Sequence, residues 1–152
     1  MSAKQVLYVM WQWTWGFAQT LAGAVIFLIF WRCPHFRYQG AVVTVWPIKS
    51  GSMSVGGFLF LHPGWQPGNQ KLLAHEYGHT VQSLILGPLY LFVIGIPSFL
   101  WALPPATRWR ARHKIPYSAL YTERWADRNG ARFAKKPKLR RTSDGKIRRE
   151  PA

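Results

Sequence analysis

Two long apolar runs, separated and followed by polar segments, dominate the pattern along the chain. The first covers residues 6–31, where Tyr8 is the single ionisable side chain, and the second covers residues 81–103. About 20 apolar residues suffice to cross the core of a bilayer. The first run is therefore predicted to form one transmembrane helix, and its tryptophans match the aromatic enrichment of membrane interfaces: Trp11, Trp13, Trp15 and Trp31. A cleaved signal peptide fits poorly, because the run is long and no small-residue cleavage site follows it.

The segment between the two runs changes from a strand-like to a helical pattern. Residues 41–61 hold two β-branched and aromatic stretches around a turn-like stretch, which predicts a β-hairpin. Prolines and glycines then break the chain, and Asn69 is a suitable N-cap for a helix over residues 70–86.

The second half predicts one membrane-embedded segment, one helix and a tail. Gly-Pro and Gly-Ile-Pro-Ser interrupt residues 87–103, so this segment is predicted to be embedded or re-entrant. A helix is predicted over residues 117–135, and the basic residues 136–152 are predicted to be disordered. The fold class is thus a mainly α membrane protein, with a single domain over residues 1–135.

The distribution of charge along the chain predicts which side of the membrane the C-terminal part faces. The net charge is +15, and 15 of the 20 lysines and arginines follow residue 103. Such charge suits nucleic acid or an anionic membrane surface, but no nucleic-acid-binding module accompanies it. The expected partner is therefore the anionic inner leaflet, with the C-terminal tail facing the cytoplasm. The one cysteine, Cys33, excludes an internal disulfide, and the sequence does not indicate an oligomeric state.

The candidate chemistry lies in the segment His75-Glu76-Tyr77-Gly78-His79. Histidines four residues apart project from one face of a helix, where two imidazoles can bind one zinc ion. Glu76 adjoins the first histidine and can accept a proton from water that the metal activates. This is the HExxH pattern of zinc peptidases.

A second pair at the same spacing supplies what the first lacks. A catalytic zinc needs a third protein ligand, which Glu123 can provide, and Asp127 can accept the distal N–H of a zinc-bound histidine. The other residues on that face are mostly small, which allows close helix packing: Ala119, Leu120, Ala126, Gly130 and Ala134. The plain alternative is a solvated amphipathic helix with i,i+4 charge pairs, and it is weakened because both motifs occur in one acid-poor chain.

These motifs resemble the gluzincin metallopeptidases, in particular the membrane-embedded HtpX and CAAX-prenyl-endopeptidase type. The resemblance rests on HEYGH and on the segment Glu123-x-x-Ala126-Asp127. A closer similarity is to short bacterial membrane proteins that carry HEYGHxxQS, Gly-Pro-Leu-Tyr-Leu, Gly-x-Pro-Ser and TExWAD, which together cover about half of this chain.

The resemblance implies a zinc endopeptidase that hydrolyses peptide substrates. It implies zinc ligation by His75, His79 and Glu123, a general base in Glu76 and a supporting role for Asp127. It also implies that the predicted hairpin supplies an edge strand for the substrate. The residue that steadies the oxyanion stays open between three candidates near the third ligand: His113, Tyr117 and Tyr121.

The shared metal constrains the expected topology. If residues 81–103 crossed the bilayer, His79 and Glu123 would start about 30 Å apart. The segment is therefore expected to dip in and return or to lie along the interface, and a full span stays open only without the zinc site. Two alternatives to the peptidase stay open. One is a basic membrane scaffold or regulator with a structural or vacant metal site; the other is an iron carboxylate centre, for which the chain has few acidic residues.

Overall fold

The computed structural model describes residues 2–49, 51–135, 139–142 and 147–149. Within them the chain is mostly helical, with a small mixed sheet. The α-helices are α1 (Ala3–Thr14), α2 (Phe17–Ile29), α3 (Gln70–Leu86), α4 (Ile96–Ala102), α5 (Pro104–Arg112) and α6 (Tyr121–Phe133). The strands are β1 (His35–Tyr38), β2 (Ala41–Val45), β3 (Met53–Val55), β4 (Phe58–Leu61), β5 (Leu139–Arg141) and β6 (Ile147–Arg149). Short 3-10 turns cover Gly87–Leu89 and Tyr117–Ala119, and a π-helix covers Leu91–Gly95.

The four-stranded sheet has the order β1-β2-β4-β3, and its central strands β2 and β4 are parallel. The prediction of a hairpin over residues 41–61 is therefore wrong. Two hairpins form instead, β1–β2 and β3–β4, because glycine permits a left-handed backbone at each turn: φ is 98° at Gly40 and 57° at Gly56. The stretch predicted as the hairpin turn is the connection that carries the chain past β4 to the edge strand β3.

The sheet has a helical layer on each face. Alternate residues of β2 and β4 point to opposite sides, as the pleat requires. Val43, Leu59 and Leu61 pack towards α3 in the larger apolar cluster, which also contains Leu73 and Tyr77. Phe58 and Phe60 pack with Trp46 in a second cluster against α2. The sheet therefore has α1 and α3 on one face, where the rings of Tyr8 and Tyr77 stack 6.0 Å apart, and most of α2 on the other.

The first apolar run forms two helices, so the prediction of one continuous helix over residues 6–31 is wrong. The break at Trp15 and Gly16 lets two buried glutamines reach α3 and the turn after it. Gln12 donates to the carbonyl of Thr80 at 3.1 Å, and Gln19 donates to Ser83 Oγ at 3.0 Å and to the carbonyl of Gly87 at 2.9 Å. These bonds satisfy polar groups that a straight apolar helix would have left unpaired.

Among the described residues, none of the helices taken singly has both the length and the hydropathy that a bilayer crossing requires. The pair Leu91–Ala102 and Pro104–Arg112 meets both criteria jointly, with a bend of 68° between its members. Helix α5 was not predicted; Pro104 and Pro105 end the apolar run as expected, but they also begin this new helix, since proline is tolerated in a first helical turn.

The predictions for the last helix and the tail need two corrections. The 3-10 turn Tyr117–Ala119 and the extended residue Leu120 precede α6, so the helix predicted from residue 117 starts at Tyr121. Strands β5 and β6 pair within the segment predicted to be disordered, and the side chain of Ile147 is buried in the larger cluster. Apart from Thr142, the other residues of that predicted tail lie outside the described residues.

Candidate metal centre

Helix α3 forms over the predicted residues and presents both histidines to the same side. The side chain of Asn69 caps it by accepting from the amide of Leu72 at 3.4 Å. The rings of His75 and His79 lie one turn apart, with centroids 4.9 Å apart and planes at 87°. The i,i+4 spacing therefore gives the pair of imidazoles that the sequence predicts.

Helix α6 crosses α3 at backbone contact, which brings Glu123 to these histidines. A Cβ added to Gly78 would lie under 3.0 Å from the carbonyl of Ala126, and one added to Gly130 would lie under 3.0 Å from the carbonyl of Ala74. Glycine is thus needed on each helix at the crossing. The small residues predicted to allow a close approach do so at Ala126 and Gly130.

Three potential ligand atoms converge at this crossing. Glu123 Oε2 lies 3.1 Å from His75 Nε2 and 3.4 Å from His79 Nε2, and the three atoms all lie within 4.8 Å of one another. The Glu123 side chain is completely buried, with 0% exposure. His75, His79 and Glu123 therefore form a group that could hold a metal ion.

The other ring nitrogens fix the tautomers of both histidines. His75 Nδ1 lies 2.7 Å from Asp127 Oδ1, and His79 Nδ1 lies 2.7 Å from Gln82 Oε1. The Gln82 amide is oriented by its own donation to the carbonyl of Thr122 at 2.7 Å. Each Nδ1 is therefore the donor, and in the neutral form of each ring the lone pair of Nε2 points at the carboxylate.

Two lone pairs aimed at a buried carboxylate oxygen repel it unless a proton or a cation lies between them. Glu123 Oε2 has no hydrogen-bond partner of its own among the described residues. A buried polar atom without a partner is rare in folded proteins and calls for a proton or an ion. The geometry of these three donor atoms therefore suits a bound metal ion.

In the metal-free site, burial and neighbouring groups shift the pKa values of His75 and Glu123 in opposite directions. Burial acts to lower the pKa of His75, but the close Glu123 carboxylate and the charge of Glu76 raise it to about 9. Burial acts to raise the pKa of Glu123, but the close approach of His75 and His79 holds it well below its usual range. A proton shared with the carboxylate therefore stands where a cation would otherwise sit.

Glu76 is buried beside the site, and a residue that the sequence did not indicate holds it. Its side chain is 4% exposed, and Oε2 accepts from Ser54 Oγ at 2.6 Å. Ser54 lies on the edge strand β3, and its carbonyl accepts from the hydroxyl of Tyr90 at 3.2 Å. Nothing in the local sequence marks Ser54, because the contact depends on how β3 packs against α3.

The three candidates for an oxyanion donor have different contacts in the structure. Tyr117 lies against the site, with its ring centroid 6.5 Å from that of His75. His113 instead contacts the carbonyl of Trp109 at 2.8 Å, and the hydroxyl of Tyr121 donates to the carbonyl of Val93. Burial and the charge of Glu123 raise the pKa of Tyr117, so its phenol stays protonated and able to donate.

Helix α4 also supports the third ligand. Ser98 Oγ donates to Thr122 Oγ1 at 2.8 Å, and Thr122 Oγ1 donates to Glu123 Oε1 at 3.2 Å. The second apolar segment therefore reaches the metal group through two hydroxyls. Thr122 and Gln82 stood out in the sequence only within the longer motifs TExWAD and HEYGHxxQS, and the structure shows that Thr122 contacts Glu123 and Gln82 contacts His79.

Comparisons with protein-family models, with curated proteins and with solved structures found no match for this chain.

Proposed function

We propose that this chain is a membrane-associated, zinc-dependent endopeptidase. The observation that carries the proposal is the convergence of two Nε2 lone pairs and a buried carboxylate oxygen, with Glu76 buried at the same site. A purely structural metal site would not need Glu76, a second buried carboxylate that is not among the metal ligands. The proposal is thus favoured over a scaffold with a purely structural site.

The donor set suits zinc. Two imidazole nitrogens and one carboxylate oxygen leave one position of a tetrahedral ion open, as in catalytic zinc sites. A dinuclear iron centre needs more carboxylates, and the described residues contain three acidic side chains: Glu76, Glu123 and Asp127. Glu76 is engaged by Ser54 and Asp127 by His75, which leaves Glu123 alone for ligation.

The reaction that fits is hydrolysis of a peptide bond. When bound, zinc would polarise the substrate carbonyl and acidify water. Glu76 would take a proton from the attacking water and pass it to the leaving amine, and Ser54 would hold its carboxylate in orientation. The hydroxyl of Tyr117 would donate to the oxygen on which negative charge develops.

Association with a membrane is supported by the surface of the N-terminal and central helices. The large side chains exposed on α2 are all apolar: Phe17, Leu21, Val25, Leu28 and Ile29. Arg32 follows that helix and Arg108 and Arg112 lie on α5, where they would meet anionic headgroups. Most lysines and arginines follow residue 103, and by the positive-inside bias they would place the site on the cytoplasmic side.

The experiment compares the parent protein with Glu76→Gln, which keeps size and polarity but cannot take a proton. Both are purified in detergent, loaded with zinc, and assayed on β-casein and on a panel of quenched fluorescent peptides. We expect equal zinc content and a fall in kcat of at least about 10²- to 10⁴-fold in the variant.

His113→Ala is the matched control, because it removes a histidine that lies away from the metal group. Equal cleavage by the parent and Glu76→Gln would exclude Glu76 as the base. Zinc binding by the parent with no cleavage of any substrate would favour the non-catalytic scaffold instead.

A further inference from the structure

Helix α2 is polar on its buried side and apolar on its exposed side. Gln19 and Thr20 face the interior, whereas residues 17, 18, 21, 22, 25, 28 and 29 are exposed and carry only Phe, Ala, Leu, Val or Ile. A helix on a water-soluble protein has the opposite arrangement. The exposed side of α2 therefore suits a hydrocarbon environment.

The second apolar segment continues this surface. Its exposed residues are Ile85, Pro88, Leu89, Phe92, Val93, Ile96, Phe99, Leu100 and Ala102. The two parts adjoin, since Trp11 Nε1 donates to the carbonyl of Leu84 at 3.1 Å and Gly87 packs against the ring of Trp15. We refer to the exposed residues of α2 and of 85–102 together as the apolar surface. Large continuous apolar patches on a protein surface mark sites of interaction with proteins or membranes.

The opposite side of α2 lies along the sheet over most of the helix. Thr20 contacts the β3–β4 turn at Gly56. Further along, the ring of Phe27 lies 5.8 Å from that of Phe58, and Phe30 lies 6.0 Å from Trp46 beyond the far end of β2. The helix and the parallel strands β2 and β4 therefore cover the same length.

This packing excludes an upright α2. The helix has 13 residues, so it is about 20 Å long, against a hydrocarbon core of about 30 Å. An upright helix would also carry the sheet, its turns and the exposed His35 and Arg37 of β1 into the hydrocarbon. Backbone turns exposed to lipid do not occur there, and charged side chains are costly at its centre.

We infer that α2 lies in the plane of the membrane, so that the apolar surface enters a single leaflet and the sheet stays on the water side. The inference rests on the membrane association proposed above. Exposed cations beyond the ends of the apolar elements would meet anionic headgroups: Lys4, Arg32, Arg108, Arg112 and Lys114. Ser2 and Lys49 would then lie on the same side of the membrane, whereas a spanning first helix would separate them.

The test is a depth profile along α2. Single cysteines are introduced by Ala18→Cys, Ala22→Cys, Val25→Cys and Ile29→Cys in a Cys33→Ser background, and each carries a nitroxide label. The full-length protein is reconstituted in phosphatidylcholine–phosphatidylglycerol vesicles, and accessibility to oxygen and to a water-soluble nickel chelate gives each depth. Lys49→Cys is the control on the water side.

An in-plane helix places all four labels in the hydrocarbon at nearly one depth. A spanning helix gives a monotonic change of roughly 16 Å over the same 11 residues, and this result would overturn the inference. Labels as exposed to nickel as the Lys49 control would also overturn it, as would labels shielded from both reagents by a second protein copy. Zinc content and peptidase activity are measured on the same samples, so failure of the topology is distinguishable from failure of the catalytic proposal.

Discussion

At the scale of single residues, the two ring nitrogens of each histidine in the site have different partners. Nδ1 is held by an oxygen of Asp127 or Gln82, and Nε2 points to Glu123. The sequence could predict the ligands and Asp127, because each pair follows the four-residue period of a helix. It could not predict Ser54, since that contact joins a strand and a helix through the tertiary fold.

The proton held near His75 makes metal binding depend on pH. The pKa of His75 is raised from 6.5 to about 9, so the histidine is mostly protonated at pH 7.5 without metal. Zinc needs the neutral ring. We expect about one proton to be released per zinc bound at pH 7.5, and the affinity to rise about tenfold per pH unit towards pH 9. Calorimetry in buffers of different ionisation enthalpy measures the release.

The stability of the metal-free protein should change with pH in the opposite direction. A raised pKa in the folded state contributes stability that is complete below about pH 6.5 and is lost as pH rises through about 9. Zinc binding without proton release, together with a metal-free stability that is constant from pH 6.5 to 9, would contradict this account of His75.

Tyr117 should act in catalysis without binding the metal. Tyr117→Phe removes only the hydroxyl, and loss of one oxyanion donor typically lowers kcat by about 10²- to 10³-fold. We expect a loss of that size on β-casein, with zinc content unchanged. Tyr121→Phe is the matched control, because its hydroxyl is directed to Val93, and it should keep the parental kcat. A similar loss in both variants would show that the Tyr117 effect is not specific.

At the scale of elements, the site depends on how closely α3 and α6 approach. Gly78→Ala would place a methyl group against the backbone carbonyl of Ala126, which cannot move without separating the helices. Overpacking typically costs about 1–3 kcal/mol. We expect a loss of at least this size in urea unfolding, together with weaker zinc binding.

Gly68→Ala provides the control for this change, because a Cβ there meets nothing within 4 Å. If Gly78→Ala were as stable and bound zinc as tightly as Gly68→Ala, the close crossing would not be needed to form the site.

The elements also show where sequence patterns succeed. Helix α3 covers the predicted residues because its cap and its period are local signals. The sheet could not be predicted in the same way, since the parallel pairing of β2 with β4 is non-local and both real turns lie outside the stretch that looked turn-like. The break between α1 and α2 follows from Gln12 and Gln19 binding to α3 and to the turn after it, which composition does not reveal.

At the scale of the whole molecule, most of α2 and helix α3 lie on opposite faces of the sheet, and α6 packs on α3. The apolar runs in the sequence indicate contact with lipid, but hydropathy alone does not distinguish a helix that crosses a bilayer from one that lies along it. The packing of α2 on the sheet is the basis for the inferred in-plane orientation. The metal group lies where α3 and α6 cross, and α4, which carries part of the apolar surface, reaches it through Ser98 and Thr122.

The central claim is that His75, His79 and Glu123 bind one catalytic zinc, and X-ray absorption at the zinc edge tests it most directly. For protein purified with one equivalent of zinc, the account predicts four light ligands, with nitrogen at about 2.0–2.1 Å and oxygen at about 2.0–2.2 Å. It also predicts loss of this signal in His75→Ala and Glu123→Ala, but not in His113→Ala. A sulfur ligand near 2.3 Å, or an unchanged spectrum in Glu123→Ala, would contradict the claim.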